Sequence, residues 1–214
     1  MRVPEHIGVI PDGNRRWAIQ NGLNKEEGYT YGLAPGLEVL NLCKEAGIKE
    51  LTYYGFTMDN TKRRSVQTKA FTQACIEAVK LISNGDVSLL VLGNTKSPMF
   101  PKELLPYTKR VNFGKGSIKV NLLVNYGWHW DLSGLNQINS RSKQEIIGSL
   151  KSKDISPIDL IIRWGDRRRL SGFLPAQSVY SDFYIVDKLW PDFEAQDFYD
   201  ALKWYDKQDI TLGG

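Results

Sequence analysis

The chain has 214 residues, 42% hydrophobic and 24% charged, the balance of a soluble globular domain and not of a disordered chain. With 28 Lys+Arg against 24 Asp+Glu, the formal net charge is only +4, which argues against a nucleic-acid binder with a strongly basic face. No apolar run reaches the roughly 18 residues that cross a bilayer, and the N-terminus has no secretory apolar core. The expected location is cytoplasmic, at most peripheral to a membrane.

Short runs rich in Val, Ile, Leu and Tyr predict strands over residues 6–10, 50–56, 87–93, 119–125 and 159–163, with 183–186 as a sixth. Between them, helical periodicity predicts helices near residues 14–21, 35–46, 66–83, 101–112, 143–151 and 194–205. Pro35 suits a first helical turn, Gly47 a helix stop and Ser65 an N-cap. This alternation implies βαβ units, hence one α/β domain over residues 1–214 with a central, mostly parallel six-stranded sheet flanked by helices. Cys43 and Cys75 fall in helical segments without metal-ligand spacing and read as core thiols in a reducing compartment.

In such sheets, ligands bind beyond the carboxyl ends of the strands. The first strand leads into Pro11-Asp12-Gly13-Asn14-Arg15-Arg16-Trp17-Ala18 and directly into a helix. Gly13 permits a tight turn, while the free N–H groups of the helix start and the Arg16 fork suit phosphate oxygens. Asp12 would repel such an anion unless a cation lay between them, and Mg²⁺ resolves that conflict. The competing reading is that Asp12 only caps the helix.

After the fifth strand, Arg163, Arg169 and Ser171 suit a second diphosphate. Basic triplets are commonly solvated surface, but this many neighbouring guanidiniums call for anions. Residues 56–63 and the Ser181-Asp182-Phe183-Tyr184 stretch follow as further candidates, Asp182 being either a second metal carboxylate or a surface group. In the 66–83 helix, Phe71, Ala74, Cys75, Ala78, Val79 and Ile82 recur at helical spacing and either pack the core or line a tunnel.

The stretch from His6 to Ala18 resembles the signature of the cis-prenyltransferases, the family of undecaprenyl diphosphate synthases. In the family's order follow Asn125-Tyr126-Gly127, Arg163 to Ser171, and Asp182 with Leu189-Trp190-Pro191-Asp192-Phe193. The resemblance implies a Mg²⁺-dependent prenyl diphosphate synthase with an apolar substrate tunnel, forming a homodimer. It implies prenyl diphosphate substrates: dimethylallyl, isopentenyl or longer allylic diphosphates. Asp12 would be the metal-linked catalytic aspartate, with Gly13, Asn14 and Arg16 around the allylic diphosphate. Asn60 and Arg63 would lie near the reacting ends, Arg163, Arg169 and Ser171 would hold the second diphosphate, and Asp182 stands where a metal-binding glutamate is usual.

Departures from the family pattern gather in these motifs: Pro11, Arg15, Lys25, Tyr29, Thr61, Trp128-His129, Trp164, Asp166 and Arg167. Lys25 and Tyr29 occupy positions where the family places a phosphate-contacting arginine and a histidine, and Arg15 one where a small residue is common; all three are expected to bind substrate. The C-terminal Thr211-Leu212-Gly213 lacks the family's arginine. The Pro-Asp-Gly-x-Arg-Arg-Trp variant, with Glu26-Glu27-Gly28-Tyr29, is similar to the lavandulyl-type branch, which couples two prenyl diphosphates head-to-middle. The expectation is a short, irregular product. Regular head-to-tail elongation with isopentenyl diphosphate, and a non-catalytic subunit of a heteromeric enzyme, stand as alternatives.

Overall fold

The computed structural model describes residues 2–137 and 142–209. Its strands are β1 (His6–Ile10), β2 (Glu50–Tyr54), β3 (Val87–Leu92), β4 (Val111–Phe113), β5 (Lys119–Leu123), β6 (Leu160–Trp164) and β7 (Asp182–Val186). They form one sheet in the order β4-β3-β5-β2-β1-β6-β7. Every pair is parallel except β3 with β4. All five residues of β1, β2 and β6 are buried, as expected of central parallel strands covered on both faces.

Three long helices, α3 (Leu33–Glu45), α4 (Ser65–Ser83) and α7 (Ala195–Asp206), bury Val39, Val79 and Phe198 against the larger core cluster. A smaller cluster contains Ile10, Tyr54, Leu123, Tyr126, Ile161, Phe173 and Leu174, with Trp130 packed against it. Shorter helices α1 (Asn14–Gln20), α2 (Gly28–Tyr31), α5 (Trp128–Leu132) and α6 (Lys143–Ser149) complete the helical set among the described residues. Gly47 ends α3 with φ at 77°, a left-handed turn that favours glycine.

Two expectations need correction. The helix predicted over residues 101–112 is a 3₁₀ helix, Lys102–Tyr107, followed by β4, which makes the sheet seven-stranded. Pro106 lies inside that turn and cannot donate to a continuing α-helix, so Val111–Phe113 is free to pair antiparallel with β3. Ser65 is the first residue of α4 and not its cap; Arg64 stands at the N-cap and makes no side-chain capping bond.

At the amino end of β1, across the sheet's length from Asp12, His6 is buried in a polar network. Its Nδ1 faces the carbonyls of Ser156 and Pro157 at 3.0 and 3.1 Å, and its Nε2 faces Thr52 Oγ1 at 2.8 Å. Two carbonyls require Nδ1 to carry the proton, so Nε2 accepts from the Thr52 hydroxyl. Thr52 in turn accepts from Asn121 Nδ2 at 2.9 Å. Burial holds the His6 pKa below its ordinary 6.5, although Glu50 and the two carbonyls oppose this. The unfolded chain therefore binds a proton here more readily than the folded one, and stability should fall as pH drops below about 6.5. Thermal unfolding between pH 7.5 and 5.5 should show a smaller loss in His6→Gln than in the parent; equal slopes would remove His6 as the cause.

Candidate diphosphate-binding site

Beyond β1, the chain turns at Gly13, whose φ of 114° favours glycine and where a Cβ would lie 2.9 Å from the Leu189 side chain. Gly13 itself is the α1 N-cap and no side chain caps that helix, so Asp12 is not a capping residue. Its carboxylate lies between two arginines: Arg163 Nη2 donates to Oδ2 at 2.8 Å, and Arg16 Nη2 stands 3.5 Å from Oδ1. Arg16 also donates to the Gly165 carbonyl at 2.8 Å. The carboxyl ends of β1 and β6, adjacent through the β1–β6 pairing, thus meet at Asp12.

Arg163 is the last but one residue of β6, and its side chain is only 4% exposed. Besides Asp12, it donates to Ser171 Oγ at 2.9 Å and to the Arg169 carbonyl. The loop it grips contains Gly165, Asp166, Ser171, Gly172 and Leu174, all with positive φ. Each non-glycine residue held there costs on the order of 1–3 kcal/mol, and such conformations cluster at functional sites.

Across this floor, Asn60 sits in a 3₁₀ helix, Met58–Lys62, where its side chain and that of Thr57 form a reciprocal capping box. Arg63 follows, and donates to the Tyr29 hydroxyl at 2.9 Å. Burial lowers the Arg63 pKa from the ordinary arginine value, partly offset by Tyr29. Arg15 reaches across to Gln67 Oε1 at 3.3 Å. Together with Gly13, Asn14, Lys25 and Arg169, all these predicted residues line a single cavity of about 570 Å³. Thr57 and Asp59 from the 56–63 stretch and Arg167 from the arginine segment line it too, joined by Tyr54, which no sequence motif singles out. Seven basic side chains, Arg15, Arg16, Lys25, Arg63, Arg163, Arg167 and Arg169, face two carboxylates, Asp12 and Asp59. Such an excess of guanidiniums suits polyanionic ligands.

Beside this cavity lies a smaller apolar chamber of about 90 Å³, sharing Pro11, Asn14, Tyr29, Gly55 and Phe71 with it. From α4, Phe71, Ala74, Cys75, Ala78 and Ile82 line the chamber as the tunnel reading expects, joined by Leu81. Val79 does not line it and is core instead. Tyr29 and Phe71 stack at the junction, ring centroids 4.4 Å apart and 3° from parallel.

Asp182 is not part of this site. As the first residue of β7 it pairs with Leu160, at the amino end of β6, whereas Asp12 follows the carboxyl end of β1. At ~3.3 Å per residue the two lie roughly 16 Å apart along the strands, and Asp182 instead stands 3.8 Å from Arg2. Of the two carboxylates expected to bind a metal, only Asp12 therefore lines the cavity; Asp59, the other carboxylate there, is exposed and paired with Lys62 at 2.8 Å. This fits Mg²⁺, which is commonly held by one or two carboxylates plus substrate phosphates and keeps several waters; it would not suit an all-protein cage, and no group of three or more metal-ligating side chains occurs among the described residues. The C-terminal departure at Thr211-Leu212-Gly213 lies outside the described residues.

A mostly parallel α/β sheet whose strand ends hold a cationic cavity, beside an apolar chamber that shares part of its lining, suits ligands with an anionic head and a hydrocarbon tail. The sequence model of the undecaprenyl diphosphate synthase family matches residues 10–213. An undecaprenyl diphosphate synthase of Escherichia coli, named as specific for (2E,6E)-farnesyl diphosphate, is 30% identical over 98% of this chain and 89% of its own length. An isoprenyl transferase of Leptospira interrogans is 30% identical, covering 99% of this chain and 95% of the relative. The solved lavandulyl diphosphate synthase of Lavandula x intermedia, in complex with dimethylallyl diphosphate, superposes with a TM-score of 0.87 at 22% identity over 99% of both chains, a likeness of fold. The chain belongs to the undecaprenyl diphosphate synthase family, the cis-prenyltransferases, and is an enzyme of that class. No helix among the described residues is long and apolar enough to cross a membrane.

Proposed function

We propose that this enzyme joins two short prenyl diphosphates with Mg²⁺, dimethylallyl diphosphate serving both as donor and as acceptor in a head-to-middle coupling. The observation that carries the reading is the large cationic cavity set against an apolar chamber of about 90 Å³. For scale, an engineered apolar cavity of about 150 Å³ takes up a benzene ring. On that scale the chamber supports a short tail over a farnesyl tail. The departures from the family pattern support a changed substrate pairing, because Arg15, Lys25, Tyr29 and Arg167 all line the diphosphate cavity.

A donor tail in the chamber places its diphosphate beside Asn14, Asp12 and Arg16. Asp12 would hold Mg²⁺ there, which would neutralise charge on the leaving diphosphate. The Arg16 and Arg63 guanidiniums stabilise the negative charge that grows as the C1–O bond breaks and its electron pair moves to the diphosphate. The paired rings of Tyr29 and Phe71, at the junction of the two cavities, would keep water from the allylic carbocation. The acceptor, its diphosphate on Arg163, Arg169 and Ser171, attacks with its double bond. The new carbon–carbon bond forms and a proton passes to the released diphosphate.

Purified protein, Mg²⁺ and dimethylallyl diphosphate alone should give a branched ten-carbon diphosphate, read by mass spectrometry after dephosphorylation. A linear Z product that requires isopentenyl diphosphate would return the enzyme to regular elongation, and long chains from farnesyl diphosphate would overturn the short-chain reading. Opening the chamber with Leu81→Ala and Ile82→Ala together should allow geranyl diphosphate as donor and lengthen the product by at least one isoprene unit. An unchanged product would mean that the chamber does not set tail length.

A further inference from the structure

Tyr54 closes β2 and faces the diphosphate cavity, yet the coupling chemistry above gives it no task. Its ring is fixed between Phe173 and Tyr126, with centroids at 5.1 and 6.3 Å. Its hydroxyl donates to the carbonyl of Ser171 at 2.8 Å. Burial, reinforced by Asp59 and opposed by Arg163, raises the phenol pKa far above its ordinary value, so this donor is present at any working pH.

The accepting residue is unusual. Ser171 has φ at 54°, the left-handed region, which an L-residue with a side chain keeps only where its surroundings fix it. Two groups do so: Tyr54 holds its carbonyl, and Arg163 donates to its hydroxyl at 2.9 Å. Arg163 also binds the Arg169 carbonyl and Asp12. Tyr54 therefore anchors, through one backbone atom, the conformation on which the Ser171 hydroxyl and the guanidinium of Arg163 converge.

We infer that Tyr54 is a positioning residue for the acceptor subsite: its hydroxyl holds the strained Ser171 so that Ser171, Arg163 and Arg169 present a single diphosphate cradle. This rests on the reading of those three residues as the acceptor's site. A Tyr54 that served only to pack the core would be replaced by phenylalanine without consequence, since the ring contacts remain. The loss of one hydrogen bond that orders a charged subsite corresponds to roughly a five- to tenfold change in affinity.

Calorimetry on the full chain with Mg²⁺ separates the possibilities. Isopentenyl diphosphate, which has no allylic C–O bond to break, probes the acceptor side; the unreactive thiolodiphosphate analogue of dimethylallyl diphosphate, titrated with the acceptor side filled by saturating isopentenyl diphosphate, probes the donor side. Tyr54→Phe should bind isopentenyl diphosphate roughly five- to tenfold more weakly, with the donor analogue within twofold of the parent. In a Ser171→Ala background the same substitution should change affinity less than twofold, because its effect passes through Ser171. Parental affinity in Tyr54→Phe, equal weakening of both ligands, or full additivity with Ser171→Ala would each overturn the assignment. If the parent enzyme turned over no prenyl diphosphate, the proposed coupling would fail, while the binding comparison would still decide the role of Tyr54.

Discussion

Asp12→Asn should lower turnover by roughly 10³-fold while leaving the fold and the affinity for the donor diphosphate analogue in the absence of metal nearly intact. Asparagine keeps the shape of the side chain and removes the charge. It deprives the cavity floor of the carboxylate that faces both Arg16 and Arg163. The cavity would then have seven basic groups against Asp59 alone, so metal-free diphosphate binding should hold or tighten even as catalysis collapses. Arg163, nearly buried, loses a charged partner, and stability should fall by about 1–3 kcal/mol. Circular dichroism, thermal unfolding and Mg²⁺-dependent turnover together read these three effects. Activity above a tenth of the parent's would remove Asp12 from the chemistry, and a weaker metal-free affinity would show that Asp12 shapes the pocket instead of holding its cation.

The parts of this site that were legible in the sequence are those written locally. Pro11-Asp12-Gly13 announces a turn at the end of an apolar strand because glycine and proline restrict what the backbone does there. The arginine run after β6 announces an anion because adjacent guanidiniums repel. What joins them, Arg163 on Asp12, spans 151 residues and depends on β1 and β6 being neighbours, which spacing alone does not give. Asp182 shows the reverse failure. Its motif names a carboxylate, but a residue's place at the first or last position of a parallel strand decides which end of the sheet it reaches. Tyr54 carried no signal beyond its place as the last residue of β2, since its partner is a backbone carbonyl far along the chain. The chamber volume could not be read either, because it is set by how closely α3 and α4 pack over the sheet. Strand β4 escaped notice because a three-residue strand has too little pattern to compete with the helical signal before it.

Arg163→Lys provides the sharpest test of whether the two diphosphate subsites are built as one unit. The guanidinium serves three acceptors in different directions: Asp12 Oδ2, Ser171 Oγ and the Arg169 carbonyl. Lysine keeps the positive charge but as a compact point on a flexible stem, and it cannot reproduce a planar fork. It can pair with Asp12 or reach Ser171, and satisfying one leaves the other unsupported. If charge alone mattered, the variant would retain most activity. If the fork organises the site, turnover should drop by roughly 10²–10³-fold, with isopentenyl diphosphate affinity falling further than donor affinity. Arg167→Lys is the control: Arg167 lines the same cavity but is exposed and its charge is solvated, so the same exchange should cost less than fivefold. Comparable losses in the two variants would mean that the cavity acts through its summed charge, and that the Asp12–Arg163–Ser171 geometry adds nothing specific. A large loss confined to Arg163 would mean that the acceptor cradle and the metal-side carboxylate are held by the same side chain, so that disturbing one necessarily disturbs the other.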